Sequence, residues 1–216
     1  MTDTGPGPPA AATRRGRPRA DQSGLVEERV LDAATAVFLR EGFSRSSFEQ
    51  IAETARAGKA TLYARYPSKQ DLFIAVVQRC VARVLARVGG HPDGPTLGER
   101  LTTYGIMLAN EALTTEVVAL MRATIAEAGH FPELARQSHR IGFGDSVQGV
   151  ARVIAGSEEG IAAALPSATR FVELAITPLQ MRALCGADLR ELRERAPRDV
   201  ALVVAMLTAQ GVLRAA

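Results

Sequence analysis

The sequence predicts an all-α protein. Apolar residues recur at the three- and four-residue spacing of a buried helical stripe, as in Val30, Ala34, Val37 and Phe38. Breakers fall at helix-length intervals: Gly42, Gly58, Gly89-Gly90, Gly129, Gly156-Ser157 and Gly186. No alternating apolar and polar run bounded by turn residues reads as a strand.

Residues 1–23 are expected to form a disordered basic arm, because Gly, Pro, Ala and Thr dominate its start and no apolar periodicity appears. A first helix is expected from Leu25 until Gly42, a residue suited to a left-handed cap. Ser47 with Gln50 three positions on has the form of a capping box, and Ile51, Ala52 and Ala55 supply the apolar face of a short second helix. Gly58 ends that unit, and a third helix fits Lys59 to Arg65. Ser68 is the expected N-cap of a long fourth helix, 68–88, with Asp71 in its first turn and a stripe through Phe73, Val76, Val77, Cys80, Val81, Val84 and Val88. The cluster from Gly89 to Pro95 reads as a linker. Further helices are expected at 96–113, 114–128, 131–155, 166–185 and 197–214, with Pro197 as a boundary and Pro178 kinking or interrupting its helix. The division expected is therefore 1–23 arm, 24–88 helix-turn-helix unit and 89–216 helical effector-binding and dimerisation unit.

Composition narrows the function. A chain of 216 residues with 47% hydrophobic and 23% charged residues is an ordinary globular composition. Cys80 and Cys185 lie far apart, which excludes a disulfide scaffold or a Cys-rich metal module. His91, His130 and His139 have no metal-binding spacing, so no metal and no cofactor is expected. The longest apolar run, Val200 to Leu207, is far short of the ~20 residues of a membrane span. No apolar secretory core opens the chain, so a cytoplasmic location without membrane contact is expected. Gly58-Lys59 does not make a phosphate loop, because Ala60 follows and Glu53 stands where the first Gly belongs. With no nucleophile motif or carboxylate pair either, no enzymatic activity is expected.

Charge is unevenly placed. Residues 1–20 carry Arg14, Arg15, Arg17 and Arg19 against Asp3, and residues 24–88 carry ten basic against seven acidic residues. Residues 89–216 carry twelve basic and fourteen acidic. Such asymmetry points to a polyanion partner for the N-terminal part. Two short helices joined by a tight turn suit a reader of double-stranded DNA. A helix enters the major groove only with a small, polar exposed face. Gly58, Lys59, Ala60, Thr61 and Arg65 fit that face, while Leu62 is expected inward. Tyr63 and Tyr66 offer hydroxyls to phosphates, Tyr66 with packing as its main role, and Lys69, Ser46 or Ser47 offer contacts at helix starts.

Gly42-Phe43, the run from Ser46 to Ala52, and the run from Thr61 to Phe73 together resemble the DNA-binding domain of the TetR family of bacterial transcriptional regulators, over about residues 25–85. Arg56, Gly58 and Ala60 depart from the family's usual Gly, Ser and Gly, which bears on base preference. The stretch from Ala126 to Ala135 resembles the effector-binding domain of the AefR-like branch. The resemblance implies a homodimer on a palindromic operator, closed by the last two long helices, and repression relieved by a small effector. Arg15 and Arg17, within the sequence RRGRPR, resemble the core of AT-hook segments and are expected at an A·T-rich minor groove. For a small, largely apolar effector the candidate contacts are Met107, Met121, Arg122, Phe131, His139 and Phe143. The Met and Phe side chains suit either a packed core or an adaptable pocket. The rival reading is a helical protein-interaction or ligand-binding module without specific DNA recognition; the confined basic charge argues against it.

Overall fold

The computed structural model describes residues 20–90 and 92–213, and among them there is no strand. The elements are α1 (Ala20–Glu41), α2 (Phe48–Ala55), α3 (Lys59–Arg65), α4 (Lys69–Val88), α5 (Leu97–Ala112), α6 (Thr115–Ala126), α7 (Pro132–Ala155), α8 (Ile161–Phe171), a π-helical turn (Val172–Ile176), α9 (Thr177–Leu184) and α10 (Leu189–Ala209).

The start of α1 corrects the expected arm boundary by several residues. The helix runs on upstream of the expected start at Leu25. Val30, Ala34, Val37 and Phe38 are buried as the stripe predicts. Phe38, Phe43 and Phe73 meet edge to face or tilted, with centroids 5.1 to 5.9 Å apart, and close the N-terminal core. Arg79 of α4, with its side chain nearly buried, pairs with Asp32 at 2.8 Å and donates to the Thr35 hydroxyl at 3.0 Å, which clamps α4 onto α1.

α4 joins two cores. Its first half, through Cys80, buries Leu72, Phe73, Val76 and Val77 with α1–α3. Its end, at Val88, joins a second core built from α5, α7, α8, the π-turn, α9 and α10. There α7 lies along α8 and α4, and α10 lies along α5. Gly149 is required where α7 meets α5: a Cβ would fall 2.1 Å from the Tyr104 hydroxyl. The first core also takes Leu120 and Leu134 from α6 and α7. The chain segment 89–216 therefore contributes to both cores.

Two further helix starts differ from expectation. α8 begins at Ile161, with Pro166 inside it, and α10 begins at Leu189, with Pro197 inside it. Asp188 caps α10, its carboxylate accepting from the N–H groups of Arg190 and Glu191. Burial of Leu192 and Ala196 on one side, and of Ala164 on the other, holds these turns in place despite the donor each proline lacks. Pro178 leaves the helix widened rather than broken. It has no N–H for the carbonyl of Leu174, and Thr177 N–H reaches back five residues to Val172. The Thr177 hydroxyl donates to the same carbonyl at 3.2 Å.

Candidate nucleic-acid interface and apolar cavity

The α2–turn–α3 unit is built by local rules. Ser47 Oγ accepts from Gln50 N–H at 3.2 Å, and Gln50 Oε1 accepts from Ser47 N–H at 2.8 Å, the reciprocal box the spacing predicts. α2 ends on Arg56 in the left-handed region, φ 49°, where it is the single non-glycine residue of positive φ among the described residues. The family's usual Gly at this position would adopt that conformation without steric cost. Gly58 starts α3 with no side chain over the first turn.

α3 turns Leu62 inward, 1% exposed, and leaves Lys59, Ala60, Thr61, Tyr63, Ala64 and Arg65 on the surface. The result is a two-turn helix with one anchor and a small, polar outer face, the form a groove-reading helix needs. Tyr63 is 49% exposed but held, its ring stacked on Phe48 at 4.7 Å. Lys59 lies 3.4 Å from Glu49. The Glu49 carboxylate is held below its ordinary range mainly by its own backbone N–H at the start of α2, with Lys59 adding to it.

Four of the expected contacts have partners inside the fold. Tyr66 is buried, and its hydroxyl donates to Glu27 Oε1 at 3.4 Å; burial first, and the Glu27 charge second, push its pKa up. Arg65 pairs with the same Glu27, so it ties α3 to α1 at the edge of the surface. Ser46 is buried, with Oγ donating to the Phe43 carbonyl at 2.7 Å. Lys69 uses all three ammonium protons on carbonyls, at 2.7 Å to Phe43, 3.2 Å to Ser44 and 2.8 Å to Ser46, and sits 4.7 Å from the centre of the Phe43 ring. Burial lowers its pKa, with the charge of Glu127 acting the other way. Lys69 thus organises the α1–α2 loop instead of facing outward. Arg15 and Arg17 lie outside the described residues.

A second feature lies behind α4. A largely apolar cavity of about 300 Å³ is lined by α4, α6, α7, the π-turn and α9. Val77, Cys80 and Val84 form one wall, Ile176 and Leu184 another. Burial pushes the Cys80 thiol up to about 11, which suits an inert lining group. Of the six expected effector contacts, Met121, His139 and Phe143 line this cavity, His139 and Phe143 stacked at 5.3 Å.

The other three do not. Met107 is at the surface of α5. Arg122 donates to the Ala183 carbonyl at 2.6 Å, joining α6 to α9. Phe131 packs edge to face on Phe43 at 5.0 Å, against the N-terminal core. Met and Phe at these positions carry no signal of which neighbour they meet across the fold. Sequence reading also passed over Ser138, which lines the cavity, and Glu127. The Glu127 carboxylate accepts from Ser44 N–H at 3.0 Å and from Ser44 Oγ at 2.6 Å. Ser138 follows buried Leu134 by one helical turn, and that phase is the signal that marks it as inward-facing.

With this geometry in view, comparison with known proteins is specific. Residues 30–76 match the bacterial regulatory proteins of the tetR family, and residues 99–210, just over half of the chain, match the C-terminal domain of AefR-like transcriptional repressors. The repressor NicS of Pseudomonas putida is 36% identical over 70 residues, 32% of this chain and 33% of that protein. The activator FasR of Mycolicibacterium smegmatis is 35% identical over 82 residues, 37% of this chain and 36% of that protein. The matched stretches thus span about a third of the length of these curated relatives. Among solved structures, a TetR-type regulator of Mesorhizobium loti aligns at a TM-score of 0.65 with 21% identity, over 86% of this chain and 98% of that one, which shows a shared fold. A flavonoid-responsive regulator, FrrA, aligns at 0.60 with 28% identity, over 86% of this chain and 97% of that one.

Proposed function

The chain belongs to the TetR family of bacterial regulatory proteins, with a C-terminal domain of the AefR-like type, and from that premise we propose that it is a homodimeric DNA-binding repressor released from its operator by a small apolar effector. The observation that carries this reading is the anchored two-turn helix α3, with Lys59, Thr61 and Tyr63 outward, joined through α4 to a largely apolar cavity. In this reading Lys59 and Thr61 meet base edges, Tyr63 and the Ser47 end of α2 meet phosphates, and the cavity holds the effector. Gly58 and Ala60 keep the head of α3 small enough for close approach.

In this reading the dimer is closed by the α8–α9 helix, about 166–185, and by α10. Leu202 of α10 is 68% exposed, and Met206 shares that helix's outer side. Apolar side chains in this number on one terminal helix are normally covered by a two-fold partner. No helix among the described residues is long and apolar enough to cross a membrane, which fits a cytoplasmic place of action. The flavonoid-responsive relative and the predominantly apolar lining both support a small organic effector rather than a sugar or a phosphate.

In vitro selection of bound DNA from a random pool tests the reading. The expected product is a palindrome with half-sites about one helical turn, ~34–36 Å, apart. Substituting Lys59 or Thr61 by Ala should change the selected bases. Recovery of no common site, or of one insensitive to both substitutions, would refute it.

A further inference from the structure

We infer that the cavity takes a neutral, flat, bicyclic or tricyclic organic molecule carrying one hydrogen-bonding oxygen, and that Ser138 is the group that receives this oxygen. This rests on the effector reading above and specifies its ligand. Ser138 sits in α7 at 7% exposure, and its hydroxyl is the one buried side-chain polar atom without a hydrogen-bond partner among the described residues. The other hydroxyls of the lining are engaged within their own helices. Thr124 donates to the Leu120 carbonyl at 2.9 Å, Ser146 to that of Gly142 at 2.8 Å, and Thr177 to that of Val172. A buried helical serine can satisfy its hydroxyl by the same bond to the residue four back. Ser138 instead leaves its hydroxyl unbonded on the cavity wall, and an unsatisfied buried hydroxyl is costly until a ligand supplies the partner.

The remaining lining sets size, shape and charge. Among the described residues no Asp, Glu, Lys or Arg lines the cavity, and beside the neutral Cys80 thiol only His139 can carry charge there. A carboxylate or phosphate would lose its hydration without a fixed counter-ion. The stacked His139 and Phe143 rings give one flat wall, and the thioethers of Met121 and Met181 suit the edges of an aromatic ring. An apolar cavity of ~150 Å³ accepts benzene, so one of about 300 Å³ takes a molecule of two or three fused or linked rings. Gly142, on the same face of α7, has open space above its Cα, so a larger side chain there would enter this volume.

The test uses the full chain with 2-naphthol, 2-methylnaphthalene and 2-naphthoate as probes, titrated by calorimetry. Wild type should bind 2-naphthol, and should bind 2-naphthoate at least about tenfold more weakly because its charge is unpaired. Ser138→Ala should weaken 2-naphthol about five- to tenfold while leaving 2-methylnaphthalene within about twofold. Ser138→Ala should also raise the Tm without ligand, which a merely structural hydroxyl would not do. Gly142→Leu should abolish binding of all three. Equal loss of both neutral probes in Ser138→Ala, binding of 2-naphthoate as tight as that of 2-naphthol, or failure of both neutral probes to bind wild type would overturn the inference. Titrating 2-naphthol into the protein–DNA complex separates the two levels: binding through Ser138 that leaves DNA affinity unchanged supports this site and removes the effector reading.

Discussion

At the level of single residues, contacts with near neighbours were legible and contacts with distant ones were not. The capping boxes of Ser47 with Gln50 and of Ser68 with Asp71 follow from a three-residue spacing. The inward turn of Leu62 follows from its place on a short helix. Lys69, Ser46 and Tyr66 have the right residue types for phosphate contact, but their partners are fixed by the fold. Lys69 reaches carbonyls 23 to 26 positions earlier, and Tyr66 reaches Glu27 across 39. This changes what Lys69→Ala should do. Losing three ammonium hydrogen bonds, discounted because the group stays partly exposed, should cost about 2 kcal/mol, or roughly 4–8 °C in Tm. The salt dependence of DNA binding should keep its slope, since no phosphate contact is lost. Thermal unfolding and a salt titration of DNA affinity check both points. A slope flattened by about one unit with unchanged Tm would instead place the ammonium on a phosphate.

At the level of elements, the order and type of the helices were readable, and their starts were not where proline was taken as a boundary. Pro166 and Pro197 sit inside α8 and α10 because buried neighbours outweigh one missing hydrogen bond. The α6–α7 turn has a role its sequence does not advertise. It touches the α1–α2 loop twice, through Glu127 on Ser44 and Phe131 on Phe43. Ser44's hydrogen bonds, the hydroxyl's first, hold the Glu127 carboxylate below the usual range. A carboxyl whose folded pKa lies below its unfolded value stabilises the fold above the unfolded value, and that contribution fades as pH falls through the folded one. Glu127→Gln should therefore lower Tm at neutral pH, by the equivalent of about 1 kcal/mol. The gap to wild type should narrow as pH drops below the ordinary glutamate range of ~4.3. Paired melting curves across that range measure it, and a gap constant with pH would mean that the charge of Glu127 does not hold the loop.

At the level of the whole molecule, the sequence named Met121, His139 and Phe143 of the cavity lining but not the rest, because the walls come from separate stretches of chain, from Val77 to Leu184. Under the proposed function, the cavity's position gives a physical route to DNA. Thr124, Ile125 and Ala128 line it, and Glu127 between them holds the α1–α2 loop that Lys69 also organises. Cys80 and Val84 line it from α4, the helix that carries the DNA-reading unit. A ligand that shifts α6 or α4 therefore acts on the orientation of α3 through two contacts at once. A dimer reading half-sites ~34–36 Å apart tolerates little change in that orientation. By linkage, a ligand that favours the other arrangement weakens DNA binding, and DNA weakens the ligand by the same factor, typically ~5–150-fold. Cutting one route should reduce this factor without emptying the cavity. Phe131→Ala lies outside the lining, so 2-naphthol should still bind, while the ratio of DNA affinities with and without it should fall toward one. Measuring ligand affinity with and without DNA, and DNA affinity with and without ligand, closes the cycle. A coupling factor equal in Phe131→Ala and wild type would leave α4 as the sole carrier.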